Sequence, residues 1–146
     1  MRAVVFDLDH TVFNENNALH DGVADLLAIL RRLGLKVGAL TNADHHMLVR
    51  LDEAGVRHYF DAVVCTEHLA EPKAPEGVHK VLVALVVEPE QAVLVSHVHG
   101  DIILGKHTRM GKTVRVLHGP HSSAGNHAVD ADHVVEDIAA VLDVLE

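Results

Sequence analysis

Two carboxylates two residues apart, Asp7 and Asp9, directly follow the apolar run Ala3-Val4-Val5-Phe6. Inside a buried strand, alternation would send both to one face, where two uncompensated charges are costly. If the strand stops near Asp7, they converge at its mouth, and a cation between them removes their repulsion. A solvated acidic turn would give the same spacing on its own. Three further residues recur at matching places. Thr41 ends the second strand-like run, Lys73 lies in Glu71-Pro72-Lys73-Ala74-Pro75-Glu76, and Asp101 follows the fourth run. The successive intervals from Asp7 are 34, 32 and 28 residues, each about one strand-helix-strand unit. A nucleophilic carboxylate, a hydroxyl donor, an ammonium and a further carboxylate suit phosphoryl transfer, which depends on positioning and charge neutralisation. Taken singly, Thr41-Asn42 also reads as a helix cap and Lys73 as a solvated side chain. Their joint arrival at one sheet edge is what argues for a site.

The elements that would position these residues alternate along the chain. Strands are expected at Ala3 to Phe6, Leu35 to Leu40, Ala62 to Cys65, Ala92 to Val95 and Thr113 to Leu117, with a short edge strand from His133 to Glu136. Residues 22–33 carry Val23, Leu26, Leu27, Leu30 and Leu33 at helical spacing, with Asp21 as the expected N-cap and Gly34 as the stop. Further helices are expected over 43–54, capped by Asn42 and ended by Gly55, from Pro75 to about Val86, and from Gly100 to Met110 with Gly111 as the stop. Residues 118–128 read as loop and Ile138 to Leu145 as a closing helix. This alternation predicts an α/β fold: a three-layer α/β/α sandwich around a mainly parallel, Rossmann-like sheet of about five strands. Such sheets take ligands at the carboxyl ends of their strands, where Asp7, Thr41 and Asp101 fall.

The motifs FDLDHT at 6–11 and LTN at 40–42, Lys73 in its proline-containing context, and Asp101 together resemble the haloacid dehalogenase (HAD) superfamily. The stretches LAILRRLGLKVGALTN, HYFDAVVCTEHL and DIILGKHTRMGKTVRV are similar to its phosphoglycolate-phosphatase-like branch. The likeness runs through about residues 3–117. It implies a metal-dependent phosphatase in which Asp7 is the nucleophile, forming an aspartyl-phosphate, and Asp9 is general acid and then general base. It further implies that Thr41, Asn42 and Lys73 hold the phosphoryl group. Asp7, Asp101 and the Asp9 carbonyl would hold Mg²⁺, a hard ion suited to oxygen ligands.

Two departures stand out. In Ser96-His97-Val98-His99-Gly100-Asp101, His97 stands where the family places a metal-binding Asp. Imidazole is a poor Mg²⁺ ligand and a good one for Zn²⁺, Ni²⁺ or Co²⁺. Three readings stay open at this point: Mg²⁺ on Asp101 and water, a transition metal through His97, or a catalytically impaired HAD-like binding or regulatory protein. A phosphotransferase or mutase is a further alternative. Secondly, only Thr11 to His20 separate the first motif from the first helix, and one helix and one strand fill Thr41 to Lys73, so no segment is expected to build a cap domain. The resemblance then implies a bulky phosphorylated substrate, or a neighbouring subunit of a homo-oligomer serving as lid. A small flap around Val12-Phe13-Asn14-Glu15 is expected to cover part of the site.

Composition narrows the partners. The 146 residues suit one domain, 1–146, burying ~70% of its unfolded surface. Acidic residues outnumber basic ones 21 to 12, a net charge of −9, which repels phosphate backbones and argues against nucleic acid. No apolar run reaches a membrane-spanning length, the N-terminus has no signal-peptide layout, and one cysteine, Cys65, fits a reducing cytoplasm. Cys65 is expected to be a buried, inert thiol. Fourteen histidines are the oddity. His45 and His46 read as solvent-facing at a helix start, and the spacing of His118, His121 and His127 is not that of a closed zinc site.

Overall fold

Every side chain of the first apolar run is buried, from Ala3 to Phe6, so this strand is covered on both faces. That is the mark of a central strand in a parallel sheet. The computed structural model describes residues 1–41, 46–66, 75–117 and 131–145. Among them the strands are β1 (Ala3–Phe6), β2 (Lys36–Thr41), β3 (Ala62–Cys65), β4 (Ala92–Ser96), β5 (Lys112–Val116) and β6 (His133–Val135). They form one parallel sheet in the order β3-β2-β1-β4-β5-β6. The helices are α1 (Val23–Arg32), α2 (His46–Glu53), α3 (Pro75–Leu85) and α4 (His99–His107). The expected edge strand is the sixth member of the sheet.

Two hydrophobic layers hold the sheet between helices. On one face Val4, Phe6, Val37, Ala39, Val93, Val95, Val114 and Val116 meet α1 through Leu26, Leu27 and Leu30, and α2 through Met47 and Leu51. On the other, Ala3, Val5, Leu40, Ala92 and Leu94 meet α3 through Val78, Val81, Leu82 and Leu85. Alternate residues of one strand thus belong to opposite cores, as the period of two requires. The chain adds β2 and β3 on one side of β1 and returns to place β4 on the other. β1 and β4 therefore flank the topological switch point, where a crevice opens at the carboxyl ends of the strands.

Several local expectations are corrected. Gly22, at φ 86°, is the residue before α1, and no side-chain cap bond is made there, so Asp21 does not cap it. The chain must turn sharply after His20, and only the left-handed region accommodates that turn cheaply with glycine. Gly34 (φ 79°) and Gly55 (φ 75°) do occupy left-handed positions after α1 and α2. The fourth helix ends at His107; Arg109 takes the left-handed conformation, at φ 63°, and Gly111 does not. Gly111 instead lies against backbone: its N–H faces the carbonyls of Pro89 and Ala92, and a Cβ would collide with the Glu90 carbonyl. The closing helix is a 3₁₀ segment over Ile138–Val144, started by Asp137, whose Oδ1 accepts from the Ala139 N–H at 3.0 Å. Cys65 is half-buried, because β3 is an edge strand.

Candidate active site

The first strand ends at Phe6, and the Asp7 N–H continues the ladder by one bond, to the Val95 carbonyl at 2.9 Å. Asp7 is thereby fixed at the mouth of the switch point and is only 2% exposed. Asp9 emerges two residues later with 46% of its side chain exposed. The tight turn between them and Phe13 is set by His10 in the left-handed conformation and by the N–H groups of Thr11, Val12 and Phe13, all directed at the Leu8 carbonyl. Similar carboxylates thus acquire different surroundings, one buried and one open to water.

Asp7 sits in a hydrogen-bond network that closes across 86 residues. Thr11 Oγ1 donates to Asp7 Oδ2 at 3.0 Å, lies 2.9 Å from His97 Nδ1, and accepts the His97 backbone N–H at 3.1 Å. A hydroxyl has one proton to give. With that proton on Asp7, the contact with the imidazole requires His97 Nδ1 to carry hydrogen. The same nitrogen is 3.2 Å from Asp7 Oδ2. The His97 ring thus lies against the Asp7 carboxylate while its Nδ1 hydrogen is directed to Thr11 Oγ1. The His10 ring meets that of His97 edge-on, with centroids 5.5 Å apart. Burial, ahead of the opposing hydrogen bond with His10, holds the nearby His20 below the ordinary imidazole pKa.

Asp101 is in the first turn of α4, buried, and accepts from Ser96 Oγ at 2.7 Å, while Ser96 Oγ in turn accepts the Val98 N–H at 3.0 Å. Ser96 is the last residue of β4, so a strand end and a helix start together aim this carboxylate. Thr41 closes β2, fully buried, opposite Cys65 in register. Its carbonyl accepts from both the N–H and the hydroxyl of Thr66. Lys73 and Asn42 lie outside the described residues, as do His45, His118, His121 and His127. His46 opens α2 and is exposed, as expected.

The donor chemistry can be tested against a metal ion. Asp7 offers a carboxylate from the end of β1 and Asp101 one from the first turn of α4, and the Asp9 carbonyl belongs to the turn after β1. This all-oxygen set fits a hard divalent cation. Among the described residues no group of three or more His, Cys, Asp or Glu is gathered to hold an ion, so water would complete the shell. The expected flap is corrected: Val12 and Phe13 are buried core anchors, and only the residues after them reach solvent. Phe13 bridges both Asp9 and Leu19, and Asn14 Oδ1 accepts the N–H groups of Asn16 and Ala18.

Sequence reasoning gave no role to Thr11, to Ser96 or to Arg50, whose guanidinium lies 3.7 Å from Asp9 Oδ1. Thr11 is inside the FDLDHT motif, and that position was its signal. Ser96 is inside the stretch 96–101, five residues before the Asp101 it serves, whereas Arg50 had no signal, since its approach to Asp9 spans 41 residues.

The sequence model of the haloacid dehalogenase-like hydrolases matches residues 2–107. The pyrophosphatase PpaX of Anoxybacillus flavithermus is 26% identical over 141 residues, covering 89% of this chain and 64% of that protein. PpaX of Bacillus cereus is 28% identical over 128 residues, covering 86% and 59%. The chain thus spans about three fifths of the length of these relatives. Among solved structures, a HAD phosphatase from Thermococcus onnurineus superposes with a TM-score of 0.88 at 18% identity, covering 99% of this chain and 98% of that one. CbbY from Rhodobacter sphaeroides, in complex with phosphate, gives 0.81 at 16% identity, covering 97% and 96%. These structural likenesses show the fold. With the family match covering most of the chain, this protein belongs to the haloacid dehalogenase-like hydrolase family.

Proposed function

We propose that this chain is a metal-dependent phosphomonoester hydrolase working through Asp7. The observation that carries the reading is the placement of Asp7: buried at the mouth of the central strand, against Thr11 and His97, with Asp101 in the first turn of the helix that follows the adjacent strand. Asp7 attacks phosphorus, and the bond from phosphorus to the ester oxygen breaks while Asp9 passes a proton to that oxygen. Water then attacks the aspartyl-phosphate, Asp9 takes its proton, and inorganic phosphate leaves with Asp7 regenerated. The exposure of Asp9 suits a group that must exchange protons with leaving group and water, whereas the burial of Asp7 suits a nucleophile held in one orientation. Thr41 and Asn42 bind the phosphoryl oxygens, and Lys73 neutralises charge on Asp7 and the transferred group.

The metal in this reading is Mg²⁺, held by the carboxylates of Asp7 and Asp101 and the Asp9 carbonyl; when bound it neutralises charge on the phosphoryl oxygens. A single catalytic domain without a cap, working in the cytoplasm, belongs to the same reading. Purified protein assayed with a generic phosphomonoester and Mg²⁺ should release phosphate, and Asp7→Asn should abolish the release. Turnover that survives Asp7→Asn unchanged removes this mechanism. Phosphate transferred to an alcohol acceptor in place of water would instead identify a phosphotransferase.

A further inference from the structure

Imidazole aside, the buried charged side chains among the described residues are Asp7, Asp101 and Arg115. Asp7 follows β1, Asp101 follows β4, and Arg115 lies in β5, and these three strands are consecutive in the sheet. Arg115 is only 2% exposed. Its Nε and Nη1 are enclosed, and among the described residues neither has a hydrogen-bond partner. A guanidinium does not give up its charge, and an ion taken out of water without directed bonds is costly. Something other than a hydrogen bond must offset that cost.

Register locates the charge. Arg115 pairs with Ser96 across β5 and β4, so both side chains emerge on the face that carries α4. Two residues earlier on that face, Leu94 and Thr113 lie under Gly105, where an added Cβ would come within 2.8 Å of each. Asp101 precedes Gly105 by one helical turn, and its carboxylate accepts from Ser96 Oγ at 2.7 Å. Asp101, Ser96 and Arg115 therefore form one layer at the carboxyl edge of the sheet. Asp7 closes the next strand along, and Arg115 Nε and Nη1 bond to neither carboxylate.

We propose that Arg115 is a fixed counter-charge to the Asp7–Asp101 pair, acting through space: it offsets their repulsion when no cation is present and holds down the affinity of the site for a divalent cation. The inference rests on Asp7 and Asp101 being the metal carboxylates. It gives Arg115 opposite effects on the two charged species that meet there, repelling the cation and attracting the phosphoryl group. A purely structural role for Arg115 would not separate them in sign.

The test is titration calorimetry on chelator-treated protein, with Mg²⁺ first and then with inorganic phosphate at saturating Mg²⁺. Arg115→Met and Arg115→Gln should bind Mg²⁺ about 10- to 100-fold more tightly than wild type, the effect of one internal charge on a divalent ion nearby. The same variants should bind phosphate more weakly, and Arg115→Lys should stay near wild type for both. Thermal unfolding checks each variant first; should Arg115→Met not fold, Arg115→Gln against Arg115→Lys makes the same comparison. Equal Mg²⁺ affinity in the neutral variants and wild type would overturn the proposal. So would Arg115→Lys behaving like Arg115→Gln, or Mg²⁺ and phosphate affinities moving in the same direction. No Mg²⁺ binding in any of the proteins would overturn the metal-dependent reading and this proposal with it. The expected shifts without release of phosphate from any ester would sustain the counter-charge and overturn the hydrolase reading.

Discussion

Thr11 carries more than its small side chain suggests. Its hydroxyl donates to Asp7, accepts the His97 backbone N–H, and contacts the His97 ring. Thr11→Val keeps the shape and removes all three. It should lower kcat for phosphate release about 10²-fold, as loss of one preorganised donor does, and cost about 1–3 kcal/mol in urea unfolding for the buried groups left unsatisfied. Thr11→Ser should restore most of both. His97→Asp makes a different prediction. It places a third carboxylate beside Asp7, so millimolar Mg²⁺ should raise the melting temperature of the variant by several degrees more than that of wild type. An equal Mg²⁺ response in the two proteins would show that position 97 does not face the ion. Asp7 and Asp9 were legible as a pair because their spacing is local. The resemblance placed His97 at the site, but its bond with Thr11 was not legible, since 86 residues separate the two.

At the scale of elements, the joints are held by glycine and by one aspartate. A Cβ on Gly111 would strike the Glu90 carbonyl, which is backbone and cannot swing aside. A Cβ on Gly105 would meet only the side-chain ends of Leu94 and Thr113, each at 2.8 Å. Both Gly→Ala changes should destabilise, by about 1–3 kcal/mol at Gly105, where overpacking is partly offset by helix propensity, and by more at Gly111. Chemical denaturation ranks them. Asp132 joins β5 to α4: it accepts from the Thr113 N–H at 2.8 Å and from Lys106 Nζ at 3.1 Å. Burial works to raise its pKa, but these hydrogen bonds and the Lys106 charge outweigh burial and lower it from 3.8. The folded state thus prefers the carboxylate, so its contribution is present above the unfolded value and is lost as pH falls through the lower folded one. Asp132→Asn should therefore be less stable than wild type at neutral pH, with the gap closing only below about pH 4. A gap independent of pH would locate the effect in packing. The helices were legible from periodicity and from Gly34 and Gly55, whereas Asp21 and Gly111 misled because a cap and a tight joint depend on what packs beside them.

For the whole molecule, charge is the property readable without coordinates. Protonating all fourteen histidines would carry the net charge from −9 to +5. Unperturbed imidazole titrates near pH 6.5, so the charge crosses zero near the sequence isoelectric point of about 5.8. Light scattering should show greatest self-association there, with dispersal on either side; a flat profile between pH 5 and 7 would mean most histidines do not titrate in that range. Among the described residues no helix is long and apolar enough to cross a membrane. By itself the sequence determined that strands and helices alternate, that the sheet is parallel, and that Asp7, Thr41 and Asp101 reach one edge of it. Those are consequences of local periodicity and of the residues that end each run. Tertiary structure alone decided that β4 lies beside β1, that Thr11 meets His97 at Asp7, and that the Arg50 guanidinium comes within 3.7 Å of Asp9. Contacts between residues distant in the chain depend on strand order and register, which no local pattern specifies.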